Sequence, residues 1–141
     1  MLSNTHFSIA VHIMSALAYS RGAVIGSEHL ARTVGTNPSF LRGLIGQLRD
    51  GGLVETKLGK GGGTLLARDP EKISLRDIYQ ATESKPAMNT HTCDGRSPCP
   101  VARNMERVFT NLNARLEGVV GDELSKTTLA DLVKDFIEKA G

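Results

Sequence analysis

The chain has 141 residues, which suits one ordinary domain or a small domain joined to an assembly element. Hydrophobic residues are 40% of it, aromatics only 4% and tryptophan is absent, so the core must be built from leucine, isoleucine, valine, alanine and methionine, and it is lean enough for assembly to share in its stability. Two cysteines exclude a disulfide scaffold, and a net charge of +2 says less about partners than its distribution does. From Arg21 to Arg76 nine basic residues stand against five acidic ones, whereas from Val101 to Gly141 six stand against seven. A basic first half and a near-neutral second half point to a polyanion-binding module joined to something else.

The first apolar run, FSIAVHIMSALAYS, lacks the charged start of a secretory leader and is too short to span a bilayer, so a reducing cytoplasm and no membrane partner are expected. Phe7, Ala10, Val11, Met14, Leu17 and Ala18 recur at helical spacing and predict an amphipathic helix over about residues 4–20. Gly26-Ser27-Glu28 opens a short helix, SEHLARTV, that stops at Gly35. Asn37 then caps a second helix with Pro38 in its first position, and Leu41, Leu44, Ile45 and Leu48 form one inward stripe before Gly51-Gly52 ends it. Two short helices across a tight turn make a helix-turn-helix. LVETK and TLLA read as strands joined by LGKGGG, and a β-hairpin placed there makes the unit a winged helix. GKGGGT is not a phosphate-binding loop, because its Gly-Lys pair is not followed by Ser or Thr before a helix.

Ser74 is expected to cap a helix carrying Leu75, Ile78 and Tyr79. The polar stretch from Ser84 to Pro100 holds three prolines and both cysteines, Cys93 and Cys99; such stretches are usually functional or mobile. Beyond it Val101, Met105, Val108, Leu112, Leu116 and Val119 step by three and four along one long helix, and a last helix begins near Thr128 with Leu129, Leu132, Val133 and Phe136 apolar. A seam of that length needs a cover. Its position after the winged helix favours a symmetric copy of the chain over an internal core. The expected architecture is mainly α with a small β-hairpin wing: a winged helix-turn-helix over residues 1–83, a cysteine-containing loop over 84–100, and a long C-terminal dimerisation helix plus a C-terminal helix over 101–141.

The run GLVETKLGKGGGTLLARDPEKISLRDIYQATE, followed by Cys93, five residues, Cys99 and Pro100, resembles the wing, helix and sensor loop of the winged-helix regulators that include IscR, NsrR and CymR. CPVARNM and SKTTLADL resemble the YwnA-like branch of that family. The resemblance covers nearly the whole chain and implies a cytosolic homodimer that binds operator DNA through the winged helix, is expected to act as a repressor, and answers a signal through the sensor loop. One departure matters. Cluster-binding members carry a third cysteine five or six residues after the second, where this chain has Asn104, Met105 and Glu106.

With the leucine stripe inward, Ser39, Arg42, Gly43, Gly46, Gln47 and Asp50 face outward. Arg42 and Gln47 have the right chemistry for base edges, Arg for guanine and Gln for adenine. Thr36, Asn37, Ser39, Phe40 and the amides of the helix start are candidates for backbone contacts. Lys57 and Lys60 flank the wing turn, whose Gly61 and Gly62 permit close passage along phosphates. Leu58 stands where many relatives have a minor-groove arginine.

Three readings of the cysteines stay open: a redox pair, which the missing third cysteine favours; ligands of zinc or a small iron–sulfur cluster helped by His12 or His91; or thiols with no sensing role. No cofactor is favoured. Two other classes of function are a thiol oxidoreductase, opposed by the absence of Cys-x-x-Cys or any nucleophile–base set, and a protein-docking module.

Overall fold

The computed structural model describes residues 5–83, 85–91 and 95–140. Helix α1, His6–Tyr19, forms where the first apolar period predicts it, with Ala10, Ile13, Met14 and Leu17 wholly buried. Helix α2, Ser27–Val34, ends on Gly35, whose φ of 80° is the left-handed turn that reverses a helix C-terminus. Helix α3, Pro38–Asp50, starts on Asn37, whose side chain accepts from the Ser39 and Phe40 amides at 2.7 and 3.3 Å. Leu41, Leu44, Ile45 and Leu48 lock α3 into the core.

The wing follows directly. Strand β1, Val54–Lys57, pairs antiparallel with β2, Gly63–Leu66, Val54 lying opposite Leu66 and Lys57 opposite Gly63. Ile25 adds a single bridge to Thr64 through amide–carbonyl bonds of 2.8 and 2.9 Å. A lone bridging residue has no period, and nothing in the sequence announced it. A β-carbon on Gly63 would collide with the Ile25 carbonyl, so this third contact demands glycine there.

A short 3₁₀ turn, Pro70–Lys72, leads to α4, Leu75–Thr82. Ser74 and Asp77 each accept the other's backbone amide, a reciprocal capping box. Helix α5, Pro100–Leu124, is the long helix, and α6, Leu129–Ala140, closes the chain behind a second reciprocal pair, Thr128 and Asp131. The starts of α4 and α6 are stitched together: Leu75 N–H bonds Thr127 O at 3.0 Å and Leu129 N–H bonds Ile73 O at 2.8 Å.

The C-terminal helix, which shares the span 101–141 with the long helix, packs on α1 and the 3₁₀ turn. Leu129 is fully buried, and Leu132 and Val133 rest against the core. The stitching at Ile73 and Thr127 returns the chain to the winged helix just where a new apolar stripe begins. Among the described residues α5 places no apolar side chain in the buried core, and its one buried residue is Gly121.

Candidate nucleic-acid interface and cysteine segment

The outward face of α3 is as its pattern predicts: Ser39, Arg42, Gly43, Gln47 and Asp50 are exposed. Around a helix turning ~100° per residue, Arg42 and Arg49 lie on one flank of that face and Gln47 on the other. Between α3 and the wing runs a cleft of about 420 Å³ lined by Arg42, Gly46, Arg49, Lys57 and the α2 start at Ser27. Arg49 went unsingled in the sequence, where it reads as a basic residue near a helix end. It holds Asp50 only loosely, at 3.8 Å with both side chains exposed. Gly43 has open space around it, so neighbouring groups of the fold do not require a glycine there.

The wing tip is basic and narrow. Lys57 and Lys60 are exposed, and Leu58 is 97% exposed. Gly62 answers a need of the hairpin itself: a β-carbon there would collide with the Lys57 carbonyl.

Two candidate side chains, Phe40 and Asn37, are engaged within the fold. Phe40 is half-buried against the core, its ring 5.1 Å from that of His6. Asn37 spends its side-chain oxygen on the cap, and the amides of Ser39 and Phe40 are the donors it takes. Thr36 is half-buried at the turn, its amide bonded to Ala31 O at 3.0 Å.

Of the cysteines, Cys93 lies outside the described residues. Cys99 is exposed at the N-cap of α5, and backbone N–H groups of Ala102 and Val101 hold its thiol below the usual thiol range. A helix start is where a thiolate is stabilised. His91 is exposed in the segment before it. His12 is exposed on α1, facing a mainly apolar groove of about 610 Å³ that it shares with His29, Tyr19 and Phe136. Among the described residues no three His, Cys, Asp or Glu side chains come together as a metal site. The positions where a third cysteine would stand are helical, and Asn104 there bonds Pro100 O at 2.7 Å.

On α5, Val101, Val108 and Val119 are exposed by 64, 46 and 67%, whereas Met105, Leu112 and Leu116 are half-buried.

A winged helix with a basic cleft, a cysteine segment and a long exposed helix is the build of known regulators. The family model of Rrf2, described as an iron-dependent transcriptional regulator, matches residues 3–135. The chain belongs to the Rrf2 family. It is 25% identical over 130 residues to YwnA of Bacillus subtilis, covering 92% of this chain and 96% of that protein. It is 27% identical over 136 residues to the transcriptional regulator IscR of Sodalis glossinidius, covering 96 and 79%. The structure of CymR, the global cysteine regulator of B. subtilis, superposes with a TM-score of 0.67 at 25% identity, covering 93% of this chain and 95% of CymR. The Rrf2 chain is thus a DNA-binding transcriptional regulator of winged-helix fold, and its relatives are regulators, not enzymes. No helix among its described residues is long and apolar enough to cross a membrane.

Proposed function

We propose that this Rrf2 protein is a cytoplasmic homodimeric repressor that reads a two-part operator through α3 and its wing and senses oxidation through Cys93 and Cys99. The observation that carries the DNA reading is the set of cations, Arg42, Arg49 and Lys57, lining one cleft between recognition helix and wing. Arg42 and Gln47 supply base readout from α3. Ser39, Lys57, Lys60 and the Gly61–Gly62 turn supply backbone contacts. The exposed valines of α5, with Met105, Leu112 and Leu116 beside them, form the dimer seam.

The redox reading rests on Cys99, an exposed thiol with lowered proton affinity at a helix start. Oxidation would join its sulfur to that of Cys93, releasing two protons and two electrons to a peroxide-class oxidant that is reduced to water or alcohol.

Selection of bound DNA from a random library, with reduced and oxidised protein, tests both parts. Arg42→Ala should cost ~1–3 kcal/mol on the selected operator and relax one base pair per half-site. Lys60→Ala should weaken all sequences alike and flatten the salt slope. Unchanged sequence preference in Arg42→Ala removes α3 as the reader. Oxidant should change affinity in wild type and not in Cys93→Ser or Cys99→Ser. If purified protein instead carries stoichiometric iron or zinc that His12 or His91 substitution releases, the metal reading replaces the disulfide.

A further inference from the structure

Helix α5 carries a second stripe that the apolar seam hides. Asn113, Glu117 and Gly121 are spaced by four, so they stack on one side of the helix. At ~100° per residue that side lies about 140° round from the centre of the valine seam. Glu117 and Gly121 meet the winged-helix half of their own chain, and Asn113 meets the segment that leaves it.

Asn113 clamps the segment that leads to the cysteines. Its amide nitrogen donates to Met88 O and its amide oxygen accepts from Met88 N–H, both at 3.0 Å. This is the two-way pairing a backbone neighbour would give. Glu117 receives the hydroxyl of Tyr79 on α4, at 3.0 and 3.1 Å from its two oxygens. Tyr79 is buried, and its ring meets Phe7 of α1 edge-on at 5.5 Å, so the bond reaches the core. Gly121 is buried against Arg76 of α4; a β-carbon would come within 3.2 Å of the Arg76 Nε. Helix α4 in turn packs on α3 and α1. A path of direct contacts therefore runs from α5 through α4 to the recognition helix.

We propose that Asn113 and Glu117 are positioning residues: with close approach at Gly121 they set the angle between α5 and the winged helix, and hence the half-site spacing the dimer accepts. The spacing clause rests on the function proposed above; the angle clause does not. The geometry makes the angle consequential. A rotation of about 10° over a lever of about 20 Å, roughly the reach of a small domain, moves α3 by about one base-pair rise. The contacts that resist it are the two at Met88, the shared one at Tyr79 and the packing at Gly121. Because the Met88 clamp lies at the near end of the cysteine segment, it also ties that segment to the helix that carries the seam.

The test uses full-length protein in a Cys93→Ser, Cys99→Ser background, spin-labelled at Leu58→Cys on the wing and Arg103→Cys on α5. Labelled chains are diluted into unlabelled ones, so that the distance within one protomer is read. The parent should give one narrow distance distribution. Asn113→Ala with Glu117→Ala should widen it at least twofold, while Glu117→Gln, which keeps an acceptor for the Tyr79 hydroxyl, should stay narrow. Widths equal in parent and double variant overturn the proposal. If the double variant does not fold, Tyr79→Phe removes the same bond from the other side and must also widen the distribution. A spectroscopic signature separates positioning from general loosening. Burial and Glu117 push the Tyr79 hydroxyl up to about 12, and the chain has two tyrosines and no tryptophan. The ultraviolet difference titration against Tyr79→Phe should therefore move to lower pH in Glu117→Ala. DNA selection on half-sites moved apart or together by one base pair reads the second clause. The double variant should accept spacings that the wild type rejects. A wild type without sequence preference would remove the DNA reading and leave the angle result standing, whereas widened distances with an unchanged spacing preference overturn the spacing clause alone.

Discussion

Helices α3 and α5 carry the same sequence signal and meet opposite fates. Each starts with a proline in its first turn, and each has apolar residues stepping by three and four. In α3 the stripe is consumed: Leu41 and Leu48 have no exposure, and Leu44 and Ile45 have 3 and 5%. In α5 the stripe stays open, with Val119 67% exposed. The difference is one of reach. Helix α3 is bounded by tight turns that fold it against α2, α4 and β1. Helix α5 follows a long polar segment, runs for about 37 Å at 1.5 Å per residue, and touches its own domain mainly through α4. Spacing states that a face wants cover; the connections state whether the chain can supply it.

The largest expected effect strikes the covered helix. Leu48→Ala empties a fully buried site and should cost ~2–5 kcal/mol in urea unfolding with an unchanged slope. A cost below ~1 kcal/mol would place α3 outside the core and erase the contrast. Val108→Asp strikes the open helix and should spare the fold while breaking assembly. Circular dichroism should be unchanged, light scattering should fall from dimer to monomer, and operator affinity should drop on the order of 100-fold as two half-sites lose their link. A monomeric wild type would show that the seam serves something other than a second copy.

A smaller effect separates structure from recognition at the α3 start. Asn37→Ala removes the cap and should lose about 1 kcal/mol of stability, whereas Asn37→Gly should lose only a few tenths. If Asn37→Ala leaves stability intact but weakens DNA binding, its side chain serves the ligand after all. The smallest effect at neutral pH belongs to the junction between the two helices' domains. The fold raises the Tyr79 pKa from 10.0 to about 12 by favouring the neutral phenol. That contribution is fully present below pH ~10 and is lost as pH rises toward 12. Relative to Tyr79→Phe, the wild type should therefore lose stability across that alkaline window; parallel curves would contradict the Glu117 contact.

Much of the candidate interface was legible because it is local. Arg42 and Gln47 are outward by subtraction once the leucines turn inward, and Asn37 announces its cap by type and place. Locality gave no sign of the surroundings of Phe40: its ring is drawn against His6 and the core by a contact across more than thirty residues. Arg49 did not stand out for the converse reason, since only the folded wing brings Lys57 into the same cleft.

By itself the sequence determined the helical periods, the caps at Asn37 and Ser74, the glycine-rich hairpin and the absence of a third cysteine near Asn104. These follow from backbone preference and side-chain spacing within a few residues. Only the tertiary structure decided that Ile25 joins the wing, that α6 returns to α1, and that Asn113, Glu117 and Gly121 bind α5 to its own domain. Those are pairings between distant segments. Each depends on where a turn aims the chain in three dimensions, and a one-dimensional pattern carries no record of that direction.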